Sequence, residues 1–256
     1  RIAVVLGCSS LVAGTMSGGS TATASIVPAV AQGTDEAIKS LLSLATKTNG
    51  SAFSEHDPDT LALSEGHIHS AGKAPQSGMP YQELLKIAKV PYVTGEGHTG
   101  GLGSDTKAHD YSTHSFGAQF AEIEWDPGIA RLRVRRVVTV IDGGRIINRK
   151  TATNQVAGAV VMGIGMAMME DTIYDQRNGH PINDNYADYL VVTNPDAPSI
   201  DVHFLDIPDP LMGQYGARGI GEIGVAGVAP AITAGVYHAT GVRIRELPIR
   251  IENLLV

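Results

Sequence analysis

Asp126-Pro127-Gly128 stands between two strand-forming stretches, Phe116–Trp125 and Ile129–Ile141. Proline presets φ for a turn and glycine accepts positive φ, so the tripeptide predicts a tight reversal and an antiparallel hairpin. An antiparallel pair of that length has one face to bury, and the rest of the chain must supply apolar partners for it. In the second arm, alternation puts Leu132, Val134, Val138 and Val140 on one face and Arg131, Arg133 and Arg135 on the other. The arginines read as a solvated strand face.

Two helical patterns offer the cover. One runs from about Lys150 to Glu170, with Val156, Val160, Val161, Ile164, Met168 and Met169 as its stripe. The other runs from about Val225 to Ala239 and stops at Gly241. A further helix is expected from about Ile26 to Thr46, a short one at Tyr81–Ala88, and strands at Ile2–Leu6, Ile200–Leu205 and Val242–Ile251. Asn49–Gly78 reads as a loose hairpin and a possible insertion, and Gly95–Thr113 as a long loop of the kind that often carries function. No composition shift marks an internal boundary, so 1–256 is read as one piece. The fold class is α+β: a mixed, mostly antiparallel sheet with packed helices.

A net charge of −7 opposes nucleic acid as the main partner, because no basic excess exists to neutralise phosphates. Cys8 is the only cysteine, which excludes an internal disulfide and a cysteine-ligated iron–sulfur cluster within the chain. No signal peptide is seen at Arg1 and no apolar run is long enough to span a membrane, so a cytoplasmic protein is expected. Ile2–Leu6 resembles the middle of a domain more than a natural amino terminus.

Chemistry concentrates in Gly213–Gly224. Glu222 is the only ionisable side chain between Arg218 and Tyr237, and Gly216, Gly219, Gly221, Gly224 and Gly227 surround it. Glycine lets a backbone approach a ligand closely. A carboxylate among apolar neighbours suits a general base, and Glu222 is expected to be such a group. Gly219-x-Gly221-x-x-Gly224 also spells a dinucleotide pattern, with Glu246 placed as the ribose acid, but the preceding residues do not read as the strand that pattern needs. Gln155 can bond a heterocycle edge or local backbone. Ser20, Thr21 and Thr23 suit a phosphate or pterin, or plain N-capping, which is the default. His67-x-His69 lacks acid or thiol partners at ligand spacing, so no metal ligands are assigned.

Five stretches, in order, resemble the molybdenum-binding subunit of the xanthine dehydrogenase/aldehyde oxidoreductase family. They are Ser17–Ala22; Ser115–Glu122; Val134–Val138 leading to Asp142–Asn148; Gln155–Gly158 with Met162–Gly165; and Gly216–Gly224. The resemblance implies a molybdenum–molybdopterin cofactor, in bacteria usually the cytosine dinucleotide form. It places Glu222 on the catalytic base and Arg218, Gly219, Ile220 and Gly221 beside metal and pterin. Gln155 with Arg145, Ile146, Ile147 and Asn148 would hold the pterin–pyrophosphate part. The loop of Ser20, Thr21, Ala22 and Thr23 would approach from the other side.

The family's subunit is much longer, and this chain matches its carboxy-terminal portion. The implied reaction is oxidation of an aldehyde or N-heterocycle with water-derived oxygen. Electrons would leave through iron–sulfur clusters and FAD on partner chains, and a further chain would carry the rest of the molybdenum subunit. Export on a partner's signal is the alternative to a cytoplasmic location. A nicotinamide-dependent dehydrogenase and a catalytically silent fragment are the alternative readings.

Overall fold

The computed structural model describes residues 3–14, 16–99, 114–212 and 215–255. Contacts divide the chain into two compact units: Arg1–Thr15 with Ser25–Asp105, and Met16–Ala24 with Thr106–Val256.

The first unit holds most of α1 (Ala22–Lys47), the strands β1 (Leu61–Ser64), β2 (His67–Ser70) and β3 (Met79–Pro80), and α2 (Tyr81–Ala88). The strands form an antiparallel sheet in the order β1-β2-β3. Glu65 and Gly66, with φ of 47° and 77°, turn β1 into β2 in the left-handed geometry that two-residue hairpins favour. The hairpin expected to be loose is packed: Leu61, Ile68 and Met79 share a buried cluster with Leu41, Ala45, Phe53 and Leu84. His69 is buried, its ring bonded to the Ser64 hydroxyl and the Ser70 carbonyl. No metal-holding group of His, Cys, Asp or Glu occurs among the described residues. The strand expected at Ile2–Leu6 is not formed: Ala3–Leu6 has no regular structure and Val4, Val5 and Leu6 are exposed. β-propensity needs a partner edge, and these residues pair with none among the described residues. The Gly95–Thr113 loop lies mostly outside the described residues.

The second unit is built on β4 (Phe116–Asp126), β5 (Arg131–Asp142) and β6 (Ser199–Phe204). β4 and β5 pair antiparallel; β6 pairs parallel to β5. α3 (Arg149–Met168) and α5 (Val228–Thr240) supply the cover. Val160, Ile164, Val228, Ile232 and Val236 bury against Leu132, Val134 and Val137. Helix meets helix closely at Gly163, where a Cβ would come within 2.4 Å of the Val228 side chain.

The expected face of β5 is right only for its first half. Glu122 pairs with Arg136 while Ile123 pairs with Val134, so Arg135 is an extra residue in the strand. Such a bulge reverses the phase of every later side chain. Inward residues are therefore Leu132 and Val134, then Val137, Thr139 and Ile141. Val138 and Val140 turn to the other face, opposite Phe120 and Ala118. Arg135 and Arg136 pair with Glu124 and Asp201.

Two further expectations fail. Val242–Ile251 forms no strand; Pro248 has no N–H to give a ladder, and Ile249 is buried with its N–H on the Ala167 carbonyl at 2.7 Å. The helix expected at Val225–Ala239 is broken at Gly227 into α4 (Ile223–Ala226) and α5. The eighteen residues Ile223–Thr240 do reach a mean hydropathy of 1.2, long and apolar enough in composition for a membrane span. Val228, Ala229, Ile232 and Val236 spend that apolarity in the core instead.

Candidate active site

At the end of β5 the chain turns through Gly143 and Gly144 and meets the glycine-rich run. Gly144 has φ of 69° and pairs with Ala217, and the Arg145 N–H donates to the Gly216 carbonyl at 2.9 Å. A Cβ on Gly144 would lie 2.3 Å from that carbonyl oxygen, so glycine is required twice over. Asp206 accepts the Ile146 N–H at 2.8 Å and pairs with Arg149, fixing the Arg145–Asn148 segment from its other side. Asn148 then starts α3, its side chain accepting the Thr151 N–H at 3.2 Å. α3 has no acid in its own first turn, and the nearby Asp206 carboxylate is paired with Arg149, the first residue of the helix.

The run itself is a ledge with its main chain tied down. The Arg218 N–H donates to the Gly143 carbonyl, Ser115 donates to the Gly219 carbonyl, and Gln155 Nε2 donates to the Gly221 carbonyl at 2.9 Å. The amides of Gly219, Ile220 and Gly221 have no partner among the described residues. The Arg218 guanidinium does not point at a ligand. Asp142 and Asp209 hold it at 2.6 and 2.8 Å, with the three side chains only 12–26% exposed.

Across the ledge lies the Met16–Ala24 segment. Ser20 has φ of 58°, rare for a residue with a side chain. Its hydroxyl accepts the Glu222 N–H at 2.9 Å and donates to Glu222 Oε2 at 3.2 Å. A Cβ on Gly219 would stand 2.3 Å from the Ser20 carbonyl oxygen. This glycine thus permits chain to meet chain, not only chain to meet ligand. Capping is not the role of two of these hydroxyls: Ser20 serves Glu222, and Thr21 donates to the Gly18 carbonyl at 2.9 Å.

A cavity of about 440 Å³ opens here, large enough for a cofactor-sized molecule. Its walls contain Ser20, Ala22 and Thr23 from the segment, Arg145, Ile146, Ile147 and Asn148, Gln155, and Arg218, Gly219, Ile220 and Gly221. Of the residues expected to bind a cofactor, only Thr21 stands outside the lining. Ser17, Thr151, Ala152 and Ala217 also line it. Thr151 and Ala152 follow from Gln155 by helical spacing, since i−3 and i−4 share its face. Ser115, which opens one of the five family-like stretches, has no role assigned from sequence; the structure gives it the bond to the Gly219 carbonyl. Two arginines and no carboxylate line the cavity.

Glu222 is at the end of the ledge, next to Gly221. It is not shielded among apolar neighbours as expected; its side chain is exposed. The dinucleotide reading lacks its structural setting, because no strand occurs among the described residues between Phe204 and Gly219.

The profile of the molybdopterin cofactor-binding domain matches residues 1–198. The chain belongs to that family. Among its relatives, the aldehyde oxidoreductase molybdenum-binding subunit PaoC of Escherichia coli K12 is 41% identical over 150 residues, 59% of this chain and 20% of that protein. A putative xanthine dehydrogenase molybdenum-binding subunit of the same organism is 36% identical over 140 residues, 55% of this chain and 18% of that protein. Quinoline 2-oxidoreductase from Pseudomonas putida 86 superposes with a TM-score of 0.67 at 25% identity, over 84% of this chain and 27% of that one. The chain thus spans about a fifth of the length of the curated relatives it matches.

The family's cofactor can be tested against the cavity. A molybdopterin carries phosphate and a ring rich in donors and acceptors. The site offers the Arg145 side chain, the amino terminus of α3, the unpaired main-chain amides of Gly219, Ile220 and Gly221, and the Gln155, Asn148 and Thr23 side chains. Such a donor set fits an anionic, heterocyclic group.

Proposed function

We propose that this molybdopterin-binding chain presents the general base and one wall of the cofactor site in a molybdenum hydroxylase that oxidises an aldehyde or an N-heterocycle. The observation that carries the reading is the ledge: it lines a cavity with no carboxylate among its described lining residues and runs directly into Glu222, an acid with no cationic partner among the described residues. The relatives named for aldehyde and xanthine oxidation support the substrate class, with aldehyde preferred because the 41% identical relative is named for it.

When bound, the molybdenum–pterin group supplies the redox centre that receives the substrate's electron pair. The chain's own residues bind and orient. The amino terminus of α3, with Arg145, Ile146, Ile147 and Asn148, would hold the phosphate end, in the cytosine dinucleotide form. Gly219, Ile220 and Gly221 would lie against the pterin, and Gln155 keeps their ledge at its height. Glu222 accepts the proton released when water-derived oxygen is transferred. Its exposure fits a site whose other wall comes from the remainder of the subunit. A single cysteine cannot ligate an iron–sulfur cluster, so those clusters, and the flavin that follows them in electron transfer, would lie outside this stretch, on partner chains.

Glu222→Gln in the assembled oxidoreductase tests this. Loss of a general base costs about 10²–10⁴-fold in turnover, and molybdenum content should stay at the wild-type level. Wild-type turnover in that variant rejects the assignment. A protein that never contains molybdenum supports the silent-fragment reading instead.

A further inference from the structure

We propose that Ser20 is the positioning residue for the Glu222 carboxylate; the inference rests on Glu222 being the base. One hydroxyl makes both ends of that residue converge. It accepts the Glu222 main-chain N–H at 2.9 Å and donates its own proton to Oε2 at 3.2 Å. A hydroxyl has one proton and two lone pairs, so both bonds form together. An exposed glutamate otherwise samples several rotamers. Here Oε2 is tethered, while Oε1 has no bond from a described residue and is the oxygen left to take a proton.

The surroundings are arranged to admit that hydroxyl. Ser20 sits at φ of 58°, a conformation that costs a β-carbon residue energy and persists only when neighbours enforce it. The neighbours here are glycines. A Cβ on Gly219 would lie 2.5 Å from the Ser20 Cβ, and one on Gly221 would lie 3.1 Å from the Ser20 hydroxyl. Both glycines leave room for Ser20. The segment that carries it, Met16–Ala24, also groups with the second unit although the residues on either side of it in sequence group with the first. Its 202-residue separation from Glu222 makes the pair a long-range constraint, not a local turn.

The test uses the assembled oxidoreductase carrying Ser20→Ala, Ser20→Gly or Glu222→Gln. Molybdenum content, kcat, KM and hydrogen exchange at the Glu222 amide are measured in each. Displacing a reacting group by about 1 Å can cost roughly 10²-fold. Both Ser20 variants should therefore lose about 10- to 100-fold in kcat, with KM and molybdenum within about twofold of wild type. Exchange at the Glu222 amide should quicken by about tenfold or more, since its acceptor is gone.

Three results overturn the proposal: wild-type kcat in both Ser20 variants; molybdenum lost in proportion to activity, which makes Ser20 a cofactor contact only; or a wild-type Ser20→Gly beside an impaired Ser20→Ala, which makes backbone strain the cause. Full turnover in Glu222→Gln overturns the functional reading itself, a distinct outcome.

Discussion

The second unit closes in two different ways at its two ends. In its core, Val160 and Ile164 of α3 interdigitate with Val228, Ile232 and Val236 of α5 over the inner face of the sheet. At the cavity, chain approaches chain through glycine: Gly144 against Gly216, Gly219 against Ser20, Gly143 against Ile220. Side-chain packing tolerates small shifts and yields stability. Backbone contact through glycine yields little burial but fixes main-chain groups to within a hydrogen bond. The core should therefore lose free energy when a side chain shrinks, and the ledge should lose function when one grows.

Arg218 belongs to both regimes, and its removal gives the largest expected effect. Arg218→Ala leaves the Asp142 and Asp209 carboxylates without their cation, and breaking a largely buried pair costs about 3–5 kcal/mol. Denaturant unfolding should show that loss together with loss of molybdenum; an unchanged midpoint would place the clamp among inert surface pairs. Ile164→Ala, at 1% exposure, should cost about 2–5 kcal/mol and leave turnover per bound molybdenum intact. Gly219→Ala should cost about 1–3 kcal/mol by overpacking, and its main deficit should appear in cofactor content and turnover. If Ile164→Ala and Gly219→Ala gave the same ratio of stability lost to activity lost, the contrast between the two ends would collapse. The smallest effect is expected at the junction, where Asn148→Ala removes the cap of α3 and costs about 0.5–2 kcal/mol in thermal unfolding.

Legibility in the sequence follows the same division. The hairpin, α2, α3 and β6 could be read within a few residues, because periodicity and turn chemistry are local signals. The phase of β5 could not. Valines occur on both faces after Arg136, so alternation alone hides the one-residue bulge at Arg135. The terminal apolar stretches also misled: Val4, Val5 and Leu6 look like a strand but are exposed and join no sheet among the described residues. At the site, the residues carried over from the family resemblance line one cavity, except Thr21 and Glu222; Glu222 stands next to the lining residue Gly221. The sequence concealed the partners. That Arg218 spends its charge on Asp142 as well as on Asp209, nine residues away, and that Ser20 holds Glu222, depends on contacts that reach across 76 and 202 residues.

Anomalous diffraction at the molybdenum absorption edge, from crystals of the assembled oxidoreductase, tests the central claim most directly. The account predicts one molybdenum peak facing the Gly219–Gly221 ledge and within reach of the Glu222 carboxylate. A fully loaded enzyme whose peak lies away from both would contradict it.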